Sequence, residues 1–126
     1  MDRKISVLLV DDSAELCESL KLNLERFHGF SVATAQEGQS ALRLARTTIP
    51  DIVLLDVMMP GLSGGQVAEM LRETPSTARI PIVFLTGMLS KRELEEQGGE
   101  IGGEIFLAKP VGAEEIAATI HTVLRR

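Results

Sequence analysis

Short apolar runs alternate along the chain with longer segments of helical periodicity, and this alternation constrains the fold more than any other feature. The apolar runs have the length of buried strands, and three of them are apolar on both faces, as in strands covered by helices on both sides. They are residues 5–10, 31–35, 51–55, 80–85 and 105–108. A strand followed by a helix, five times over, predicts an α/β fold with an open, doubly wound parallel sheet.

The segments between the runs are predicted to be amphipathic helices. They are residues 13–27, 37–47, 64–73, 90–97 and 113–126. In the first of them, apolar residues at spacings of three and four form a stripe that is expected to face the core. This stripe consists of Cys17, Leu20, Leu24 and Phe27. Ser13 precedes the stripe and is the expected N-cap.

Size and charge exclude several classes of protein. The 126 residues suit one domain, and we expect a single domain over residues 1–126. The formal net charge of -5 disfavours direct binding to nucleic acid or to an anionic membrane. Cys17 is the only cysteine, which excludes an intrachain disulfide and favours a reducing cytoplasm. No apolar stretch approaches the roughly 20 residues of a membrane span, and no signal peptide is recognisable.

Polar residues follow the predicted strands at the point where each strand ends. Asp11 and Asp12 follow the first, Asp56 the third, Thr86 the fourth and Lys109 the fifth. Ligands of doubly wound sheets bind at the carboxyl ends of the strands, so these side chains are candidates for one site. Three converging carboxylates repel one another unless a cation lies among them, and oxygen ligands favour Mg²⁺. The ammonium and the hydroxyl suit a phosphoryl group beside that cation.

The residues that carry these motifs resemble the receiver domain of bacterial two-component response regulators. The resemblance rests on residues 7–12, 51–64, 85–86 and 106–110, in that order at the strand ends, and it covers essentially the whole chain. It implies a flavodoxin-like, CheY-like fold with five parallel strands in the order 2-1-3-4-5 and five helices. It also implies one receiver domain, with no output domain attached within residues 1–126.

The resemblance assigns a role to each residue of the candidate site. Asp56 would accept a phosphoryl group from the phosphohistidine of a sensor histidine kinase or a phosphotransfer protein. Asp11 and Asp12, with the Asp56 carboxylate and the backbone carbonyl of Met58, would hold Mg²⁺. Lys109 would contact the phosphoryl oxygens, and its peptide bond to the following proline would be cis.

The resemblance also implies a switch that reaches the protein surface. Thr86 would move its hydroxyl toward the phosphoryl group, and Phe106 would turn inward. This change would alter the face of the fourth helix, fifth strand and fifth helix, where an unknown downstream protein would bind. Such a protein is not an enzyme with a separate substrate, because it catalyses only its own phosphorylation and dephosphorylation.

Two features of this sequence depart from the common receiver pattern. Met58 and Met88 stand two residues after Asp56 and Thr86, at positions that tune the lifetime of the phosphoryl group in the family. Neither thioether orients an attacking water well, so we expect slow self-dephosphorylation. The glycine-rich segment 98–103 replaces a shorter connection, and it is either a loose loop that ends the fourth helix or a mobile loop that binds a partner.

Rival functions fit the sequence less well. A phosphatase with an aspartyl-phosphate intermediate needs a second carboxylate where Met58 stands. A flavin or nucleotide module needs a phosphate-binding loop after the first strand, where Asp11 and Asp12 would repel the ligand. The remaining alternative is a receiver that acts as a phosphorelay intermediate or phosphate sink, or as part of a larger regulator or hybrid kinase.

Overall fold

A computed structural model describes residues 3–125, and within that range it contains five helices and six strands of one sheet. The strands are β1 Ser6–Val10, β2 Ser31–Ala35, β3 Ile52–Asp56, β4 Ile82–Thr86, β5 Glu100–Ile101 and β6 Glu104–Ala108. The helices are α1 Ala14–His28, α2 Gly38–Thr48, α3 Gly64–Glu73, α4 Lys91–Glu96 and α5 Ala113–Leu124. The strand order is β2-β1-β3-β4-β6-β5, and the pairs from β2 to β6 are parallel. The predicted doubly wound α/β fold is confirmed.

Two apolar layers sandwich the sheet, because alternate residues of each strand point to opposite faces. In β1, Val7 and Leu9 join α1 and α5 in one cluster, whereas Leu8 and Val10 join α2 and α3 in the other. All residues of β3 and β4 are buried. This double burial explains why the central strands read as continuous apolar runs rather than as alternating ones.

Serine side chains start three of the helices. Ser13 accepts a hydrogen bond from the Leu16 amide at 3.1 Å, which confirms the predicted N-cap of α1. Ser63 and Ser90 precede α3 and α4 with complete capping boxes, in which the serine amide also donates to the side-chain oxygen of the third helical residue. Such boxes satisfy amide groups that the helix itself leaves unpaired.

The predicted core stripe of α1 is wrong at its last position. Cys17, Leu20 and Leu24 are buried, but Phe27 is 67% exposed, with the Arg26 guanidinium 5.6 Å from its ring centroid. The helix ends at Gly29, whose φ of 73° turns the chain so that Phe30 enters the core instead. A glycine in the left-handed conformation redirects the chain in this way, and periodicity within the helix does not register it.

The glycine-rich segment forms a hairpin, which adds a strand that the sequence analysis did not predict. β5 pairs with the start of β6 in antiparallel register, with Glu100 opposite Ile105 and Ile101 opposite Glu104. The two residues between the strands, Gly102 and Gly103, both have positive φ, at 61° and 82°. Positive φ at both positions is typical of the type I′ turn, which suits the twist of a two-residue hairpin.

At the opposite edge of the sheet, side chains of α1 occupy the backbone groups of one β2 residue. Val32 of β2 donates its amide to Oε2 of Glu25 at 3.0 Å and offers its carbonyl to the Lys21 ammonium. Lys21 and Glu25 also pair with each other one turn apart on α1, at 3.0 Å. The α1 pair therefore satisfies both backbone groups of Val32, as a neighbouring strand would.

The last helix ends close to the C-terminus of the chain. α5 ends with Arg125 in the left-handed conformation, at φ 56°, while Arg126, where the predicted helix ended, lies outside the described residues. Among residues 3–125, no helix has the length and apolar character that crossing a membrane requires.

Candidate functional site

The pairing of the strands brings the predicted site residues to one edge of the sheet. β1, β3, β4 and β6 are parallel neighbours, so their carboxyl ends meet at the same side. Asp11 follows β1, Asp56 ends β3, Thr86 ends β4 and Lys109 follows β6. Asp12 stands beside Asp11. We call these five residues the acceptor end.

Three carboxylates come together at the acceptor end. Asp11 and Asp56 are buried and Asp12 is exposed, and one oxygen from each lies within 4.8 Å of the others. Donors made only of oxygen, at this spacing, are the type of site that holds a hard divalent cation. The predicted metal ligands Asp11, Asp12 and Asp56 are therefore close enough to share one ion.

The Lys109 ammonium lies between the two buried carboxylates. Its Nζ is 2.6 Å from Oδ2 of Asp11 and 3.3 Å from Oδ1 of Asp56. Burial by itself lowers the pKa of Lys109, but pairing with the two carboxylates outweighs this effect, and the pKa lies above its ordinary value. The lysine stays positively charged across the physiological range, and the peptide bond from Lys109 to Pro110 is cis, as expected.

The surroundings of Asp56 disfavour its ionised form. Burial, and then the charge of Asp11, raise its pKa above the ordinary value, while Lys109 and the Met58 amide partly oppose the shift. The Met58 amide donates to Oδ1 of Asp56 at 3.3 Å. An ionised carboxylate in such a place is stabilised by any added positive charge.

One oxygen of Asp11 provides a test of whether a cation fits. Oδ1 accepts a hydrogen bond from the Ser13 amide at 3.0 Å. Oδ2 is buried and, apart from its ion pair with Lys109, accepts no hydrogen bond from the described residues. A buried carboxylate oxygen with unused lone pairs is suited to a metal ion. The residues at the acceptor end thus fit a divalent cation.

The Ser13 amide is a contact that sequence reasoning missed. Ser13 was predicted only as a helix cap, but its amide also orients the Asp11 carboxylate, in the manner of an Asx-turn. The signal was present in the sequence, because an aspartate two residues before a helix cap is a common Asx-turn arrangement.

Comparison with known proteins adds independent evidence on what this arrangement is. The family model of the response regulator receiver domain matches residues 7–121. The chain belongs to this family. Receivers in general switch a signal through phosphorylation, and response regulators interact with sensor kinases and downstream targets.

Individual relatives and solved structures agree with this assignment. The chain is 41% identical to response regulator MprA of Mycolicibacterium vanbaalenii over 122 residues, which cover 97% of this chain and 51% of that protein. It is 38% identical to the alkaline phosphatase synthesis transcriptional regulatory protein PhoP of Bacillus subtilis, covering 100% of this chain and 50% of that protein. The chain therefore spans about half the length of these relatives.

A solved structure of similar size gives the same fold. The Vibrio cholerae chemotaxis protein CheY4 superposes with a TM-score of 0.81 at 30% identity, covering 97% of this chain and all of that chain. In this receiver the extra strand β5 is a minor addition at the sheet edge.

Thr86 of this receiver is held by backbone groups on two sides. Its Oγ1 accepts from the Met88 amide at 3.0 Å, and its carbonyl accepts from the Lys109 amide at 2.7 Å. The residue is buried, but a Cβ added at the next position, Gly87, would meet nothing within 4 Å. The space beside Thr86 at position 87 is thus open.

Phe106 is half-buried in β6, three residues before Lys109. Its ring stacks on Phe84, with centroids 5.2 Å apart, and the two residues are register partners in β6 and β4. Its amide donates to the Gly99 carbonyl at 3.1 Å, in the turn after α4. Phe106 therefore links the central sheet to the hairpin.

Gly64 allows the loop after Asp56 to pack tightly. A Cβ at Gly64 would lie 2.2 Å from the Asp56 carbonyl oxygen, and the Gly64 amide donates to the Val57 carbonyl at 3.0 Å. This position excludes any side chain. At the rim of the site, Met58 and Met88 are 63% and 72% exposed.

Proposed function

We propose that this receiver is a phosphorylation-dependent signalling switch in which Asp56 accepts a phosphoryl group from a sensor kinase phosphohistidine. The observation that carries the proposal is the placement of the buried Asp56 carboxylate beside two further aspartates and 3.3 Å from the Lys109 ammonium. Burial destabilises the ionised form of this nucleophile, and the nearby ammonium can stabilise negative charge on an attached phosphoryl group. Both properties suit transfer of a phosphoryl group.

No side chain of the receiver needs to lose or gain a proton during the transfer. A carboxylate oxygen of Asp56 attacks the phosphorus, the P–N bond of the phosphohistidine breaks, and the electron pair of that bond leaves with the imidazole. The product is an acyl phosphate on Asp56. The Met58 amide and the Lys109 ammonium both contact Oδ1, so they fix the orientation of the carboxylate during attack.

Asp11, Asp12, the Asp56 carboxylate and the backbone carbonyl of Met58 are proposed to hold Mg²⁺. When bound, Mg²⁺ neutralises negative charge on the transferring group. Oδ2 of Asp11 supports this assignment, because it is buried and only the Lys109 ammonium contacts it. Lys109 supplies a further positive charge, which is set in place by its contact with Asp11 at 2.6 Å.

Thr86 and Phe106 are proposed to carry the change from the site to the surface. The Thr86 hydroxyl accepts a hydrogen bond from the Met88 amide, and its own proton is available for a phosphoryl oxygen. Movement of Thr86 would open space for Phe106, whose ring stacks on Phe84 of the strand that Thr86 ends. The face of α4, β6 and α5 is the proposed contact surface for a downstream protein.

The first experiment measures the intact mass of the chain after incubation with Mg²⁺ and either acetyl phosphate or phosphoramidate. Phosphoramidate contains the P–N bond of a phosphohistidine. We expect one phosphoryl group to be added with both donors, and none in Asp56→Asn or after removal of the metal with a chelator.

A matched control keeps this result specific. Asp51 directly precedes β3, the strand that ends in Asp56, and accepts hydrogen bonds from Arg3. The Asp51→Asn variant should still be phosphorylated. Failure of the folded wild-type chain to gain a phosphoryl group from either donor would refute the proposal.

The two rim methionines are proposed to prolong the life of the acyl phosphate. Met58 and Met88 are exposed at the site, and neither thioether holds an attacking water in place as a polar side chain would. Met88→Asn should speed loss of the phosphoryl group by about tenfold, less than the roughly 10²–10⁴-fold of a positioned proton-transfer group, because the amide orients the water without accepting its proton. Met88→Leu is the control and should leave the decay unchanged, and equal decay in all three proteins would contradict the idea.

A further inference from the structure

Two adjoining pockets, which share four lining residues, lie along β6 where it faces α4 and α5, and together we call them the groove. One end has a volume of about 370 Å³ and the other about 330 Å³, and both ends are lined by Gly98, Gly99, Phe106 and Leu107. Further apolar residues line each end, Leu94 and Ala108 at one and Ile105, Ala118 and Val123 at the other. The groove thus presents apolar side chains on the surface of the described part of the chain.

The rim of this groove is strongly acidic. Residues 91–115 contain seven glutamates against three basic residues, a net charge of -4 out of the chain's formal -5. Glu95 and Glu115 line one end and Glu100 lines the other. Within residues 3–125, Lys91 is the only basic residue that lines the groove, and it already pairs with Glu115 at 3.5 Å.

Both unpaired glutamates that line the groove, Glu95 and Glu100, lack an ionic partner in the described part of the chain. Three other glutamates of residues 91–115 are paired, Glu96 with Arg92, Glu104 with Arg72 and Glu115 with Lys91. Glu95 and Glu100 are exposed, and no basic group of residues 3–125 lies within ion-pair distance of either. They leave negative charge above an apolar floor, where a positive side chain from outside would be attracted.

We propose that the groove binds a cationic segment of a partner protein, with an apolar anchor on the floor and lysine or arginine at Glu95 and Glu100. A second copy of this chain is a poor occupant, because it would bring the same acidic rims face to face. The proposal names the partner chemistry of the switch above and so rests on that proposed function. Since Phe106 lines both ends of the groove, movement of its ring would couple phosphorylation to binding.

The test uses two fluorescent peptides that form amphipathic helices with the same leucine and phenylalanine stripe. One carries lysine and arginine beside the stripe and the other carries glutamate at those positions. Binding is measured by fluorescence anisotropy at physiological ionic strength, before and after phosphorylation with acetyl phosphate. We expect the cationic peptide alone to bind, with an affinity that changes on phosphorylation.

A charge-matched pair of variants locates the binding surface. Glu95→Lys/Glu100→Lys should weaken the cationic peptide by about tenfold, because truncating or reversing interfacial charges has effects of this size. Glu18→Lys/Glu69→Lys makes the same change in net charge at exposed positions on α1 and α3 and should alter binding by less than about twofold. Circular dichroism checks that both variants are folded.

The outcomes separate this inference from the proposed function. Equal binding of the anionic peptide, no binding of either peptide, an equal loss in the Glu18/Glu69 variant, or a self-associated form that excludes the peptide would each overturn the groove proposal. Absence of a phosphoryl group by mass, with charge-dependent binding retained, would instead refute the switch and leave the cationic partner supported.

Discussion

The acceptor end and the edge formed by α4 and the hairpin, residues 91–106, are built by different means. Each side chain of the acceptor end extends from a strand terminus, and pairing between distant parts of the chain sets its position. The hairpin edge rests on local structure: a helix of six residues, a two-residue strand and a turn of two glycines. Two buried carboxylates lie at the first, whereas most residues of the second are exposed.

This difference places the proposed phosphoryl-transfer site and the proposed partner-binding surface on segments of different rigidity. The groups that we propose to contact a transferring phosphoryl group are held by the most buried strands, which allow little displacement. Segments with few buried contacts shift at low free-energy cost, and such segments are where switching elements are found. Glycines show the contrast directly, since Gly64 is required by tight packing and Gly102 by backbone conformation.

The largest expected effect comes from Gly64→Ala at the acceptor end. Its Cβ would lie 2.2 Å from the Asp56 carbonyl oxygen, so backbone must move, and we expect a loss of about 3 kcal/mol in the free energy of unfolding. Urea denaturation measures it. Gly65→Ala is the control, because its nearest neighbour would be Ser63 Oγ at 3.9 Å, and it should be neutral or slightly stabilising.

Asp56→Asn should stabilise the metal-free protein at neutral pH by about 1–3 kcal/mol, because the amide removes a buried charge that Lys109 and the Met58 amide compensate only in part. Burial and Asp11 raise the pKa of Asp56 in the folded state, so its contribution to stability is complete below the unfolded pKa. That contribution is lost as pH rises through the folded pKa. The gap between variant and wild type should therefore narrow in acid.

Thermal unfolding across this pH range, in the presence of a chelator, measures the effect of Asp56→Asn. Asp51→Asn, near the start of the same strand, serves as the reference, because Asp51 accepts from Arg3 and from the Ser6 amide, and its loss should not stabilise. A wild type as stable as Asp56→Asn at neutral pH would mean that the acceptor end carries no electrostatic strain.

Gly102→Ala should lower the free energy of unfolding by about 1 kcal/mol, the cost of a left-handed conformation for an alanine. A Cβ there meets nothing within 4 Å, so the effect is conformational only. Gly102→Asn should be nearly neutral, because asparagine is well tolerated in type I′ turns. If Gly102→Ala were as damaging as Gly64→Ala, the proposed contrast between the two regions would fail.

The smallest effect is expected from Glu104→Gln at the start of β6. Arg72 donates to both carboxylate oxygens, at 2.6 and 2.7 Å, and lowers the pKa of Glu104. The pair is partly exposed and screened, so we expect a loss of only about 0.5 kcal/mol at neutral pH.

Because the folded pKa of Glu104 is depressed, this stabilisation is present above the unfolded pKa and disappears as pH falls through the folded one. Denaturation of wild type and Glu104→Gln should accordingly converge in acid. Glu100→Gln, at an exposed position of β5, should match wild type throughout, and a comparable loss there would show that the Arg72 pair is not the cause.

How far the sequence predicts this structure follows the same division. Apolar runs that end in Asp11, Asp56, Thr86 and Lys109 predicted the sheet and the meeting of these residues, because parallel strands leave little choice of where their ends lie. The sequence predicts a loop where the hairpin lies, because four glycines and two pairs of hydrogen-bonded strand residues produce no hydrophobic periodicity. Phe27 was misplaced because a glycine cap, not the helix, decides which aromatic enters the core.

The contacts at the two edges of the sheet affect the tendency of this protein to aggregate at high concentration. An open edge strand is a template on which another chain can add, and this leads to aggregation. Here β5 covers the first half of β6, while Lys21 and Glu25 occupy the outward backbone groups of Val32 in β2. The Val32 amide lowers the pKa of Glu25, so acid strong enough to protonate that carboxylate would weaken this contact and leave Val32 open to a strand of another chain.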